Sequence, residues 1–143
     1  MANNDGCFVG SMKSIILLLF IGAFVLLIGR EVFTKDFVKV AQKSPIPEFY
    51  KQDIDISYKE AFDKIFKDGE WEQKKKQGGQ SYPHVIYTGK YVDSAGSHPV
   101  EYELSFSDDL SGFLAHVYSC KIDGEEHDSS IGLGIIYKCI VNP

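Results

Sequence analysis

The densest group of side chains that could do chemistry is the four-residue stretch Glu125-Glu126-His127-Asp128. Carboxylates and imidazoles bind zinc and other transition metals, and His116 could lie near the same stretch. Zinc sites usually have three or four ligands at characteristic spacings, whereas these four residues are contiguous. We therefore interpret the stretch as an acidic surface turn. The alternative is a metal-dependent protein or enzyme that uses His116, Glu125, Glu126 and His127.

Two of the three cysteines, Cys120 and Cys139, lie in the C-terminal part of the chain. In an oxidising compartment they could form a disulfide, which requires their Cα atoms to come within about 7 Å. Two separate thiols, buried as small apolar groups, are the other interpretation. Pairing therefore requires the terminal segment that holds Cys139 to lie against the strand that holds Cys120.

The common catalytic signatures are missing from the sequence, which has no G-x-S-x-G, no G-x-x-x-x-G-K and no H-E-x-x-H. Nothing singles out one histidine as a partner for Cys120 in nucleophilic catalysis. The net charge of −5 and the pI of about 5.3 argue against a nucleic-acid binder, which needs clustered basic residues. We predict no catalytic residue, no cofactor and no bound metal.

An uncharged apolar run from Ser14 to Gly29 lies between Lys13 and Arg30. As a helix its sixteen residues would be about 24 Å long, and flanking residues can extend it toward the ~30 Å core of a bilayer. No A-x-A-like cleavage site follows, so a retained anchor is favoured over a cleaved signal peptide. The sequence predicts a tail over 1–12 and a transmembrane anchor over 13–33.

The orientation of this anchor is decided by two opposing signals. Arg30, Lys35, Lys39 and Lys43 follow the run, and the positive-inside rule would place them in the cytoplasm. A domain of this size can be translocated despite a few lysines, and the cysteine pair is typical of an oxidising compartment. We predict that the domain lies outside the cytoplasm, with the membrane as one partner and an unidentified protein or envelope ligand as another.

Beyond the anchor, Ser44-Pro45-Ile46-Pro47 stops any helix, so residues 34–55 are predicted to be a juxtamembrane helix and linker. The predicted soluble domain covers 56–143. It opens with an amphipathic helix whose capping box is Ser57 and Glu60 and whose C-terminal stop is Gly69. One apolar stripe follows a helical period: Tyr58, Ala61, Phe62, Ile65 and Phe66.

Four strands are predicted after this helix, at 70–75, 84–92, 99–107 and 113–122. The third alternates apolar and polar residues cleanly, which indicates an antiparallel sheet with one solvated face. Residues 129–141 predict a short terminal helix or a fifth strand, and Gly132 and Gly134 weaken the helix. The fold class is therefore α+β: a transmembrane helix, then a helix on a four-stranded antiparallel meander, with a short C-terminal helix as an option.

Several aromatic residues on the strands could form an exposed binding face on the open side of the sheet. We predict that face at Tyr87, Tyr91 and Tyr118. Six side chains are expected in the core instead: Phe62, Phe66, Trp71, Tyr102, Leu104 and Phe106.

A series of short motifs runs from the first helix of the domain to its end: A-F-D-K-I-F at 61–66, G-E-W-E at 69–72, Y-T-G-K-Y at 87–91, V-E-Y-E-L-S-F at 100–106, I-D-G at 122–124 and I-I-Y at 135–137. In these motifs the chain resembles a loose group of small bacterial envelope domains that follow a membrane helix or a lipoprotein signal. The resemblance implies a bacterial protein without an established enzymatic role, and it transfers no site residues. The functional expectation is a non-catalytic binding or structural module, with an inhibitor or immunity-type protein as an alternative.

Overall fold

The computed structural model describes residues 35–143, so the predicted tail and the anchor at Ser14–Gly29 lie outside the described residues. Within 35–143 no helix is long and apolar enough to cross a membrane. Residues Asp36–Pro143 form one compact unit. Its elements, in chain order, are α1 (Phe37–Lys43), a 3₁₀ helix (Pro47–Gln52), α2 (Tyr58–Ile65), β1 (Phe66–Gln73), β2 (Val85–Asp93), β3 (Gly96–Asp109), β4 (Gly112–Ile122), β5 (Glu125–His127) and α3 (Ser129–Val141).

The fold is α+β, as predicted, but the antiparallel sheet has five strands in the order β1-β2-β3-β4-β5 and not four. The strand that sequence reasoning missed is β5, which pairs Glu125–His127 with Ile122–Cys120 of β4. The turn between them, Asp123-Gly124, has φ of 53° and 83°, which is the left-handed conformation that two-residue hairpins need. Three residues, two of them acidic, are too few to show a strand pattern.

The helices pack on one face of the sheet, and the strand residues that point toward them alternate along each strand. On β3 these are Val100, Tyr102 and Leu104, all buried. Phe62 of α2 lies at the centre of an aromatic cluster, with its ring centroid 4.4 Å from that of Tyr87 and 5.0 Å from that of Tyr102. The helix-covered face is therefore the core. Of the six predicted core side chains, Trp71 and Phe106 are only partly buried and the other four are buried.

The predicted linker contributes to this core. Phe37 and Ala41 of α1 are buried, as are Ile46 and Phe49 around the 3₁₀ helix. The Ser44 hydroxyl accepts a hydrogen bond from the backbone N–H of Ala115, at 2.9 Å, on the side of β4 away from β3. The segment therefore covers an otherwise open sheet edge, which is why the compact unit begins at Asp36 and not near residue 56.

The capping box of α2 is present as predicted: the Ser57 side chain accepts from the Glu60 backbone, and the Glu60 carboxylate accepts from the Ser57 backbone. The helix ends at Ile65, four residues before the predicted stop at Gly69, because Phe66 is already extended and starts β1. Residues 129–141 form a helix, α3, and not a fifth strand.

Candidate functional site

The most unusual surface within residues 35–143 is the outward side of α3. Only one of its thirteen residues is charged, so the helix is apolar on nearly every side. Gly132 and Ile136 point into the core, while an outward row follows the spacing i, i+3, i+4 and i+7. We call this row the outer stripe, and it consists of Ile131, Gly134, Ile135 and Lys138. Ile131 is 49% exposed and Val141, one turn beyond the row, is 44% exposed.

Because Gly132 has no side chain, α3 can pack close to the sheet at this position. A Cβ atom at this position would lie 2.9 Å from Cys120 Sγ and 2.9 Å from Tyr102 Cε1, too close for either contact. The Tyr102 hydroxyl donates a hydrogen bond to the carbonyl oxygen of Gly132, at 3.0 Å. A Cβ at Gly134 would instead meet nothing within 4 Å. The two glycines that weakened the helix prediction therefore have different roles: one fits the core and the other lies in the outer stripe.

A negative charge, one turn before the outer stripe, and a positive charge, at its C-terminal end, lie along α3. Asp128 is the N-cap residue, and its side chain makes no capping hydrogen bond. Lys138 lies in the last turn. Neither residue has an ion-pair partner within the described part of the chain. Both charges are therefore available to a molecule that lies along the helix.

A half-open groove of about 580 Å³ adjoins the C-terminal end of α3. It lies between Lys64 and Ile65 at the end of α2, Tyr91 of β2, and Cys139 and Ile140 of α3. The Cys139 thiol group and its hydrogen bond with the Tyr91 hydroxyl raise the pKa of Tyr91. The groove extends the apolar surface of α3, but the tyrosine and the cysteine in it are paired with each other.

Cys120 and Cys139 are both free thiols, so of the two interpretations of this pair the structure has the separate thiols and not the disulfide. The terminal segment does lie against β4, but the residue that meets Cys120 is Gly132. Cys139 follows seven residues later in α3, about 10 Å along the helix axis, and contacts Tyr91. Burial raises the pKa of the Cys120 thiol.

The three tyrosines predicted as an exposed face do not share one. Tyr87 is 1% exposed, because it alternates with Val85 toward the helices and packs on Phe62. Tyr91 lies on the same helix-covered side and is partly buried. Only Tyr118 is exposed, at 62%, and its ring lies 5.0 Å from that of His84.

A cluster of three polar side chains, His84, Glu103 and Lys74, links neighbouring segments on the open face of the sheet. The Glu103 carboxylate lies between His84, with 2.6 Å between Oε1 and Nδ1, and Lys74, with 3.4 Å between Oε2 and Nζ. Burial opposes the charge on Glu103, but the His84 hydrogen bond and the Lys74 charge outweigh it and lower the pKa of Glu103. Sequence reasoning missed this cluster, because its members come from three separate segments.

The residues of the alternative metal-site interpretation do not come together. Within residues 35–143 no group of three or more His, Cys, Asp or Glu side chains is arranged to hold a metal ion. Glu125, Glu126 and His127 form β5, while His116 lies further along β4 and bonds to Ser107, with 2.8 Å between Nε2 and Oγ.

His116 also approaches Glu48, giving a serine–histidine–carboxylate series on the surface. The distance from His116 Nδ1 to Glu48 Oε1 is 3.9 Å, too long for the hydrogen bond that orients a catalytic histidine. Ser107 and His116 are diagonal neighbours on paired strands, so their bond is an ordinary cross-strand contact.

His98 makes a second polar cluster at the far end of the sheet. Its Nδ1 lies 2.7 Å from Asp123 and its Nε2 lies 3.3 Å from Asp93. The hydrogen bond to Asp123 raises the pKa of His98, with the charge of Asp93 adding to the effect. The arrangement ties the β2–β3 turn to the β4–β5 turn.

No protein-family model, curated protein or solved structure matches this chain. Its function must therefore be inferred from its own residues, and the outer stripe of α3 is the feature that the fold alone does not require.

Proposed function

We propose that this chain is a single-pass membrane protein of the bacterial envelope, and that its α+β domain is a non-catalytic binding module outside the cytoplasm. The observation that carries the binding role is the outer stripe of α3. A surface helix of a globular domain normally has a polar outer side, whereas this one leaves Ile131 exposed and Ile135 half-buried there. Exposed apolar rows of this kind are typical of surfaces that bind another molecule.

The polar clusters on the open face of the sheet support the proposal that the module is non-catalytic, because each has a structural role. Buried His84 and half-buried Glu103 bond to each other across the open face, and half-buried His116 bonds to Ser107. Each pair links neighbouring strands, which is a sufficient physical reason for its presence. Neither cluster combines a histidine, its orienting carboxylate and a nucleophile at hydrogen-bonding distances.

The membrane part of the proposal is supported by the uncharged run Ser14–Gly29. The full chain should remain in the membrane fraction after alkaline extraction. Ile21→Lys, which puts a charge at the centre of the run, should weaken retention, and Ile21→Val should not. Release of the unaltered full-length chain into the soluble fraction would contradict the anchor.

The orientation is tested by thiol labelling. Ser94 lies at the exposed β2–β3 turn, so Ser94→Cys in a chain without its own cysteines provides one accessible thiol. A membrane-impermeant reagent should label it in intact cells, and the parent chain without cysteines is the matched control. Labelling only after lysis would place the domain in the cytoplasm and overturn the envelope role.

The binding role is tested by photo-crosslinking in cells. A photoreactive side chain at position 135, in the outer stripe, should give a discrete protein adduct. The same side chain at position 94, in an exposed polar turn, should give none. A stripe position that reacts no more specifically than the turn would show that α3 is not the binding surface.

A further inference from the structure

We infer that the molecule bound along the outer stripe is a second copy of this chain, packed α3 against α3 in antiparallel orientation about a two-fold axis. The inference rests on the proposed function, since it names the partner of the same surface. The spacing i, i+3, i+4 and i+7 of the outer stripe, with isoleucines at the first and third positions, is the spacing by which one helix packs against another. Gly134 in the middle of the stripe lets a second backbone approach closely, because nothing lies within 4 Å of where its Cβ would be.

Charge complementarity selects the antiparallel orientation. Asp128 and Lys138 are ten residues apart, about 15 Å along the axis, and Leu133 lies midway between them. A two-fold axis that crosses the outer stripe at the level of Leu133 puts Lys138 opposite the partner's Asp128, and the symmetry repeats this pair at the other end. The same register puts Ile131 opposite the partner's Ile135. One arrangement thus pairs both charges and covers both isoleucines.

A lipid surface fits the same helix less well. The N-terminal end of α3 carries Asp128 and follows Glu125 and Glu126. Anionic headgroups would repel this end, whereas interfacial helices are typically rich in Lys and Arg. A second copy neutralises both ends, because each copy supplies the charge that the other lacks.

The contact is small, since a thirteen-residue helix is only about 20 Å long. Standard stable interfaces bury about 800 Å² on each partner, and one helix side provides less than this. Copies tethered in one membrane are held at a high effective concentration, which compensates for a weak contact. Pairing should therefore be clear in membranes and should decrease on dilution into detergent.

Charge reversal provides the sharpest test, using full-length chains with donor and acceptor fluorophores in vesicles of neutral lipid. Lys138→Asp places two Asp–Asp pairs in the contact, and Asp128→Lys places two Lys–Lys pairs there. Each variant alone should pair with itself about tenfold more weakly than the unaltered chain. A mixture of the two variants restores both attractive pairs and should recover energy transfer. Lys76→Asp, on an exposed loop away from α3, is the matched control and should pair normally.

Disulfide cross-linking provides a second measurement that does not depend on charge. In chains whose Cys7 and Cys139 are replaced by serine, copies with Ile131→Cys and copies with Ile135→Cys should cross-link to each other more readily than either does to itself. Buried Cys120 stays in place.

The inference is overturned if the mixture fails to recover energy transfer and the two cysteine variants do not cross-link preferentially. If the charge variants lose their fold, the cross-link alone decides. A photo-adduct at position 135 with a different protein, together with no pairing of copies, would leave the proposed binding role intact and remove the second copy as its partner.

Discussion

The helices α2 and α3 pack on the same face of the sheet, but they differ on the side that faces away from it. The outward side of α2 carries charged residues: Lys59, Glu60, Asp63 and Lys64. Of its apolar residues, Tyr58, Ala61 and Phe62 are buried, and Ile65 is partly buried against the core. The exposed polar side chains of α3 are only Ser130 and Lys138, and its N-terminus lacks the side-chain cap that α2 has.

Packing within the domain explains every apolar residue of α2, but it does not explain the apolar residues on the outward side of α3. The sequence of α2 is explained by one buried side and one solvated side. The inward side of α3 is explained by Gly132 and Ile136, but burial within this domain gives no reason for Ile131 and Ile135. A partner along the outer stripe supplies that reason.

The largest expected effect is in the core of α2. Phe62→Ala should lower the free energy of unfolding by about 3–5 kcal/mol, because the ring is fully buried among other aromatic rings. Lys59→Ala, on the outward side, is the matched control and should change it by less than about 0.5 kcal/mol. Denaturant unfolding measures both. A change below about 0.5 kcal/mol for Phe62→Ala would mean that α2 does not dock here.

Stability measurements require a fragment that begins near Lys35. A fragment starting near Lys43, at the end of the predicted juxtamembrane helix, would lack Phe37 and Ala41, which are buried in the core.

The next effect is at the helix N-termini. Ser57→Ala should lower the free energy of unfolding by about 1 kcal/mol, because it removes one half of the capping box. Asp128→Ala should cost only a few tenths of a kcal/mol, because the Asp128 side chain makes no capping hydrogen bond. Equal losses in thermal or denaturant unfolding would remove this distinction between α2 and α3.

The capping box should also respond to pH. Hydrogen bonds from the Ser57 backbone and side chain lower the pKa of Glu60 below its usual 4.5. The stabilisation is therefore complete above that usual value and is lost as the pH falls through the lowered pKa. Glu60→Gln should reduce the loss of stability between about pH 7 and about pH 3, as measured by unfolding at each pH. An unchanged pH profile would show that this carboxylate does not stabilise α2.

Much of this fold was accessible from sequence, because periodicity and capping are local signals. Ser57, Glu60 and the apolar row behind them predicted α2, and the alternation around Tyr102 and Leu104 predicted β3. Contacts between distant segments were not accessible. The hydrogen bond from Ala115 to Ser44 joins residues 71 apart, and nothing local in the proline-rich segment indicates that it covers β4.

The candidate site was missed for a related reason. Gly132 and Gly134 are equivalent by propensity, and only the sheet distinguishes the one that must be glycine from the one that is free. The sequence signal that could have identified the site is the near absence of charge over residues 129–141, because it leaves apolar residues on two sides of one helix. Tyr87 was misassigned to an exposed face, because its partner in packing is Phe62 on α2 and not a neighbour in sequence.

The smallest expected effect is in the outer stripe. Ile135→Gln should change the free energy of unfolding of the 35–143 fragment by less than about 0.5 kcal/mol, because the half-buried side chain does not pack against the hydrophobic core. The same substitution should reduce pairing in membranes. A loss of several kcal/mol in the fragment would show that Ile135 belongs to the core, which would end the comparison between the two helices.

The central claim is that α3 meets the sheet through Gly132 and leaves the side with Gly134 uncovered. Comparing the unfolding free energies of Gly132→Ala and Gly134→Ala tests this claim most directly. Gly134→Ala should raise stability by about 0.5–1 kcal/mol, since alanine is the better helix former and meets no neighbour. Gly132→Ala should lower it by about 1–2 kcal/mol, since the new methyl group overlaps Cys120 and Tyr102. Two changes of the same sign and similar size would contradict the account.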